Sequence, residues 1–320
     1  MAVTGGSGVV GTALVRHLVD AGHEVRALAR SAETSAMLER LGTSVVPGDV
    51  LDGASVGRLV EGSRRVFHVA GVNEMCLRDP SSMWQVNVEG SLLVLEASIR
   101  AGVERLVHTS SAVTIGEEQG TVGSEASKHR GHFLSEYERS KTVAERLVFD
   151  TARDIEVVSV NPSSVQGPGR STGTGALLLA AARGRLPFLV DATVSVVDID
   201  DCARGHLLAA EHGVPGQRYI LSGAVISIRD ALRALDAHLG RRDRPWFIRP
   251  EVVSALAPAV GAAFRVAGRQ PPLCSESARV LLHGHRYDGS KATRDLGLDY
   301  TLVDETLRRA LDWFRLEGLL

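Results

Sequence analysis

Ala2-Val3-Thr4-Gly5-Gly6-Ser7-Gly8-Val9-Val10-Gly11-Thr12-Ala13-Leu14-Val15 sets glycines at positions 5, 8 and 11 between a short apolar strand and a run of helical spacing. Glycine at these steps permits a tight turn and lets backbone approach a charged group. That group then sits at the positive N-terminus of the following helix. Glycine patterns are common, but a strand before and a helix after make this one a cradle for a pyrophosphate, formed by Gly5, Ser7, Gly8, Val9, Val10 and Gly11. The strand itself spans only Ala2–Thr4, so either it is truncated or the true start lies upstream.

Outward from this turn, strand and helix alternate. His23 to Arg30, Thr43 to Val46, Arg65 to Ala70, Arg105 to Thr109 and Ile155 to Val160 read as strands. Val9 to Ala21, Ser35 to Leu41, Ala54 to Val60, Ser82 to Ala101 and Tyr137 to Arg153 read as helices. Val66-Phe67-His68-Val69 is an apolar run rather than an alternation, as expected for a strand covered by helices on both faces. The order predicts an α/β fold: a doubly wound parallel Rossmann sheet over residues 1–165, also receiving about 190–222. Residues 166–189 and 223–320 are expected to form a smaller, mainly helical substrate lobe, broken into short pieces by Pro245, Pro250, Pro258, Pro271 and Pro272.

Bulk properties narrow the function. A net charge of -2 over 320 residues gives no field to recruit nucleic acid. The most apolar stretch, Val252 to Ala267, is interrupted by Pro258 and Arg265, so no membrane span is expected. The N-terminus shows no secretion signal, and Cys76, Cys202 and Cys274 are too scattered for a metal site. They read as free thiols suited to a reducing, cytoplasmic setting.

An acidic residue at the end of the second strand usually holds the ribose of NAD. Here the strand ends Ala27-Leu28-Ala29-Arg30-Ser31, without a carboxylate. Arg30 can stack on adenine and pair with a 2′-phosphate, which points to NADP(H), with NAD(H) the alternative. Asp49 and Val50 are placed to bracket the adenine edge, although Asp49 also suits a turn former.

Tyr137-Glu138-Arg139-Ser140-Lys141 puts a phenol and an ammonium on one helix face. The ammonium is expected to lower the phenol's pKa, making Tyr137 a proton donor to a carbonyl and Lys141 a ligand for the nicotinamide ribose. Ser111, at the carboxyl end of the strand closing His108-Thr109-Ser110-Ser111, can donate to the substrate oxygen, with Ser110 and Thr109 as rivals. Tyr287 and Lys291 repeat the spacing, but Gly289 between them argues against a continuous helix.

At these residues the chain resembles the extended short-chain dehydrogenases/reductases, especially bacterial dihydroflavonol-reductase-like and hopanoid-associated sugar-epimerase-like proteins. The matching stretches include Thr4 to Gly11, Phe67 to Gly71, Asn87 to Gly90, His108 to Ala112, Tyr137 to Lys141, Asn161 to Pro168 and Val197 to Gly205. By that resemblance Ser111, Tyr137 and Lys141 are catalytic, and Val69, Ala70, Gly71 and Thr109 run beside the cofactor. Pro162, Ser163, Ser164 and Val165 would contact the nicotinamide carboxamide, Asn87 would brace the neighbouring helix, and Asp200-Asp201 would be structural. Tyr287-Lys291 falls on a C-terminal element rather than a second site. Gln166 replaces an aromatic common in the family, which leaves substrate class open. The expected function is NADPH-dependent reduction of a small, fairly apolar ketone or aldehyde by a homodimer. The alternatives are a sugar-nucleotide epimerase or dehydratase that recycles its hydride, and a non-enzymatic dinucleotide sensor. Such sensors generally lack the Tyr-Lys pair present here. The apolar Trp246-Phe247-Ile248 and Val252 to Val266 suit an apolar substrate, or else pack a helix onto the core.

Overall fold

The computed structural model describes residues 1–241, 245–266 and 274–320. β1 (Ala2–Thr4), α1 (Val9–Asp20), β2 (Arg26–Ala29), α2 (Ala32–Arg40), β3 (Ser44–Pro47), α3 (Gly53–Val60) and β4 (Arg65–His68) alternate through the first part of the chain. Next come α4 (Ser81–Trp84), a π-helical turn (Gln85–Glu89), α5 (Gly90–Arg100) and β5 (Arg105–Thr109). A 3-10 turn (Ala112–Ile115), α6 (Glu136–Thr151), β6 (Glu156–Pro162) and β7 (Ser164–Gln166) follow. Then α7 (Thr174–Ala182), β8 (Phe188–Val190), β9 (Thr193–Asp198), α8 (Ile199–His212), β10 (Arg218–Leu221), β11 (Ala224–Ser227) and α9 (Ile228–Leu239). The chain continues with β12 (Trp246–Ile248), α10 (Pro250–Val266), α11 (Ser275–His283), α12 (Ser290–Leu296) and α13 (Val303–Leu316).

Seven strands form one sheet in the order β10-β6-β5-β4-β1-β2-β3, every neighbouring pair parallel. Short as it is, β1 is central, and the winding reverses there: β2 lies on one side and β4 on the other. Strand order reversal opens a crevice at the carboxyl ends of the strands, which is where ligands bind in open sheets of this kind. Successive residues of each strand face opposite helical layers. Val3, Phe67 and Val107 pack with Leu14, Leu18 and Tyr219, whereas Ala2, Val66 and Leu106 pack with Val56, Leu59, Val94 and Leu95.

β9 pairs with both β7 and β11 in a second small sheet, and β8 pairs with β12. Leu179, Leu232, Leu235, Leu311 and Phe314 form a separate apolar cluster among α7, α9 and α13. Asp201, 1% exposed, accepts the Thr301 backbone N–H at 2.6 Å and the Thr301 hydroxyl at 3.0 Å, a structural role as the resemblance implied.

Several local expectations are corrected. The helix expected over Ser35 to Leu41 begins at Ala32 because the Ser31 hydroxyl caps it, accepting from Thr34 N. That bond engages the Ser31 hydroxyl next to Arg30. The helix expected over Ser82 to Ala101 is broken by the π turn at Asn87. α10 runs through position 258, so Pro258 does not end a helix as expected; Pro271 and Pro272 lie outside the described residues. The free-thiol reading fails for two of three cysteines. Cys76 and Cys274, 198 positions apart in sequence, are disulfide-bonded, and Cys202 is free and buried. Their wide separation hid the pairing from any reading of spacing, and the cysteines no longer argue for a reducing compartment. Among the described residues, no helix is long and apolar enough to cross a membrane.

Candidate active site

The glycine turn is set by sterics. Gly5 has φ of 70°, and a Cβ there would come within 2.5 Å of Ala70 N. A Cβ on Gly11 would overlap the Gly5 carbonyl oxygen. Side chains at either position would push β1, β4 and α1 apart. Gly8 N–H donates to Gly5 O at 3.0 Å, and Thr12 Oγ1 donates to Gly6 O at 3.1 Å, closing the turn. Gly8 is the N-cap of α1. No side chain caps this helix and no acidic residue lies in its first turn, so its positive end remains available to an anion.

A cavity of about 380 Å³ opens from this turn across the carboxyl ends of β4, β5 and β6. Gly5, Gly8, Val9, Val10 and Gly11 line one end. Val69, Gly71, Thr109, Ser111, Tyr137 and Lys141 follow, with Pro162, Ser163, Ser164 and Val165 opposite. Ser7, Arg30, Asp49, Val50 and Ala70 lie outside its walls. Arg30 is exposed and Asp49 half-buried, their charged ends 4.0 Å apart. Asp49 Oδ1 accepts from Leu51 N at 2.9 Å, the turn-forming role weighed for it. Val50 is buried and packs against Gly90.

Tyr137 sits in the first turn of α6, whose N-cap Ser135 accepts from Glu138 N at 3.0 Å. Lys141, one turn on and 3% exposed, donates to Thr109 O at 2.7 Å. Asn87 ties the wall together: Nδ2 donates to Val72 O at 3.0 Å and to Ser140 Oγ at 2.9 Å, while Oδ1 accepts from Val72 N at 2.8 Å. The π turn thus presents Asn87 to both the cavity wall and the residue before Lys141. The Ser111 carbonyl accepts from Asn161 Nδ2 at 3.2 Å and from Thr114 Oγ1 at 2.9 Å, which fixes the backbone and leaves the hydroxyl free of that task.

Electrostatics differ from expectation in one respect. Burial raises the Tyr137 phenol above its usual value; Ser111 and the positive charge of Arg170 pull it partly back. The lysine is engaged by Thr109 O instead of setting the phenol. Burial lowers the Lys141 ammonium to about 8, against an opposing pull from Glu145. A lysine titrating there is charged below that pH and neutral above it. We therefore expect kcat/KM to fall as pH rises through about 8, and this basic limb to be absent in Lys141→Met; an unchanged limb in the variant would assign it elsewhere.

The second tyrosine-lysine pair does not converge. Lys291 Nζ donates to Gln217 Oε1 at 2.8 Å and to Arg218 O at 3.0 Å, while Tyr287 OH lies 2.8 Å from His285 Nδ1. Tyr287 nonetheless lines the cavity, together with His285, Val194 and Val280, none of which sequence reasoning placed there. Arg170 also lines it, whereas Arg183 Nε donates to Leu319 O at 2.7 Å. The apolar wall includes Val72, Met75, Val113, Val194 and Val280; among the described residues none of β12 or α10 contributes to it, and Phe247, Ile248 and Val253 instead pack in apolar clusters, the packing alternative for these segments.

A parallel sheet with a glycine cradle at its switch point and a Ser-Tyr-Lys group beside it defines an NAD(P)-dependent oxidoreductase of the extended short-chain dehydrogenase/reductase type. Residues 1–222 match the family model described as the NAD dependent epimerase/dehydratase family. The chain belongs to that family. It is 31% identical to sterol demethylase protein B of Methylococcus capsulatus, over 99% of both chains. It is also 31% identical to the 2-alkyl-3-oxoalkanoate reductase of Stenotrophomonas maltophilia, covering 96% of this chain and 97% of that protein. Among solved structures it is similar to a nucleoside-diphosphate-sugar epimerase from Pseudomonas aeruginosa, with TM-score 0.80, 26% identity and coverage of 100% and 98%.

Proposed function

We propose that the protein reduces a ketone or aldehyde of a small, fairly apolar substrate at the expense of NADPH, with Tyr137 as proton donor. The observation carrying this reading is the single cavity joining the glycine turn, Ser111, Tyr137 and Lys141 to an apolar wall. A dinucleotide fits the residues present. The uncapped N-terminus of α1 and the closed Gly5–Gly11 turn suit a pyrophosphate, and the buried Ser163 hydroxyl lacks a hydrogen-bond partner in the wall where a carboxamide would lie. The bound dinucleotide would supply the hydride. Tyr137 would deliver the proton to the carbonyl oxygen, Ser111 would hold that oxygen by hydrogen bonding, and Lys141 would hold the ribose while anchored on Thr109 O. Arg30 would take the 2′-phosphate, Asp49 and Val50 the adenine edge, and Ser7 and Ala70 backbone positions near the phosphates.

The same reading divides the chain into a dinucleotide-binding part, 1–165 with about 190–222, and a substrate lobe, 166–189 with 223–320. The second reading is a sugar-nucleotide epimerase, favoured by the likeness to the Pseudomonas aeruginosa structure. NADPH absorbance followed with a panel of carbonyls, beside nucleotide sugars offered without added cofactor, separates the two. The oxoalkanoate reductase supports the first reading by its name alone.

By the family resemblance, a homodimer paired through α5 and α6 is proposed. Along α5 and α6, Leu95 is fully buried in the core, while Leu92, Val143 and Leu147 are partly exposed. Light scattering at micromolar concentration should give twice the chain mass of 34.1 kDa; a monomer would count against the pairing.

A further inference from the structure

Arg170 is the cavity's unmatched charge. It follows β7 in the loop to α7, and that loop is folded closely on it: a Cβ at Gly175 would overlap the Arg170 carbonyl oxygen. The side chain is half-buried, its Nε is enclosed without a hydrogen-bond partner, and no ion pair joins its guanidinium to any described residue. Several other arginines of this half of the chain are paired instead. Arg229 pairs with Asp191 at 2.8 Å, Arg204 with Asp201 at 2.6 Å and Arg309 with Asp198 at 3.2 Å. A partly desolvated guanidinium without a counter-charge is costly unless a ligand supplies one.

The surroundings favour an anion. Thr174, which opens the nine-residue helix α7, lines the same cavity; that helix has a glycine N-cap, no side-chain cap and no acidic residue in its first turn. Its positive end therefore adds to the charge of Arg170. The cavity's other basic residues among those described are committed: Lys141 is bonded to Thr109 O, and His285 Nδ1 is 2.7 Å from Glu117 Oε1. One available cation matches a monoanion better than a diphosphate, which would call for more. Arg170 and Tyr137 share the cavity, so the anion lies close to the reacting carbonyl, and Met75, Val194 and Val280 supply apolar wall for the remainder of the substrate.

We propose that the substrate is an apolar oxo acid whose carboxylate is held by Arg170. This inference rests on the reductase reading for its chemistry, which is unchanged, but the charge complementarity stands apart from turnover. Calorimetric titration of the full chain with decanoate, methyl decanoate and UDP-glucose tests it directly. Decanoate should bind at least about tenfold more tightly than its ester, the factor expected of one charge-assisted hydrogen bond. Arg170→Met should remove that preference and Arg170→Lys should keep part of it. In turnover, the ratio of kcat/KM for 3-oxodecanoate over its methyl ester should collapse in Arg170→Met by a similar factor.

Equal binding of acid and ester by the wild type, a preference surviving Arg170→Met, or Arg170-dependent binding of UDP-glucose in place of decanoate overturns the proposal. Reduction of neutral ketones with no acid preference would sink this inference and leave the reductase reading standing. Arg170-dependent binding of decanoate without reduction of any carbonyl would do the reverse.

Discussion

Tyr137→Phe is expected to lower kcat for carbonyl reduction by about a thousandfold, within the range general acid catalysis contributes, while the dinucleotide still binds. The substitution removes only the hydroxyl. The ring remains in the first turn of α6, the Ser135 cap to Glu138 N is untouched, and Lys141 keeps its bond to Thr109 O. No other phenol in the cavity is placed to substitute. Tyr287 OH is engaged with His285 Nδ1 at 2.8 Å, and burial pushes it well above the ordinary tyrosine value, with Glu117 adding to the shift. Tyr287→Phe should therefore lose no more than about tenfold, since no proton passes through it in this account. The checking measurement is steady-state kinetics of both variants beside dinucleotide binding followed by fluorescence. An active Tyr137→Phe with an inactive, folded Tyr287→Phe would reverse the assignment.

Arg30→Glu carries the second large effect. In the wild type kcat/KM should favour NADPH over NADH, and the variant should shift that ratio toward NADH by about a hundredfold or more. A 2′-phosphate loses one or two charge-assisted bonds and meets a carboxylate in their place. The residue is exposed directly after β2, and its charge is only partly countered by Asp49 at 4.0 Å. The fold does not depend on it, so the variant should unfold as the wild type does. A wild type that favours NADH, or a ratio unmoved by the substitution, would remove Arg30 from the cofactor site.

Much of this site was legible because it is local. The glycine turn follows from three positions between a strand and a helix, and Tyr137 and Lys141 from a four-residue step on one helix. The order of strands and helices implied the parallel sheet because a parallel connection needs a covering helix. What escaped detection depends on long-range contacts. The π turn answers to Asn87 bonding Val72 and Ser140, residues 15 and 53 positions away. The Cys76–Cys274 bond joins residues 198 apart, beyond any spacing rule. Nothing in the local sequence marks Arg170, and only the folding of its loop against the cavity distinguishes it. The apolar wall was sought in the most apolar segments, β12 and α10, yet scattered valines supply it. Hydrophobicity along a sequence does not say which surface will face a cavity.

Net transfer of hydride to the substrate is what separates a reductase from an enzyme that recycles its cofactor. Reduction of a carbonyl substrate with NADPH deuterated at the transferring position of the nicotinamide, read by mass spectrometry, tests this most directly. One deuterium should appear on the carbinol carbon for each dinucleotide oxidised. A nucleotide sugar converted to its epimer, with the dinucleotide recovered in its starting redox state and no deuterium lost to an added carbonyl, would contradict it.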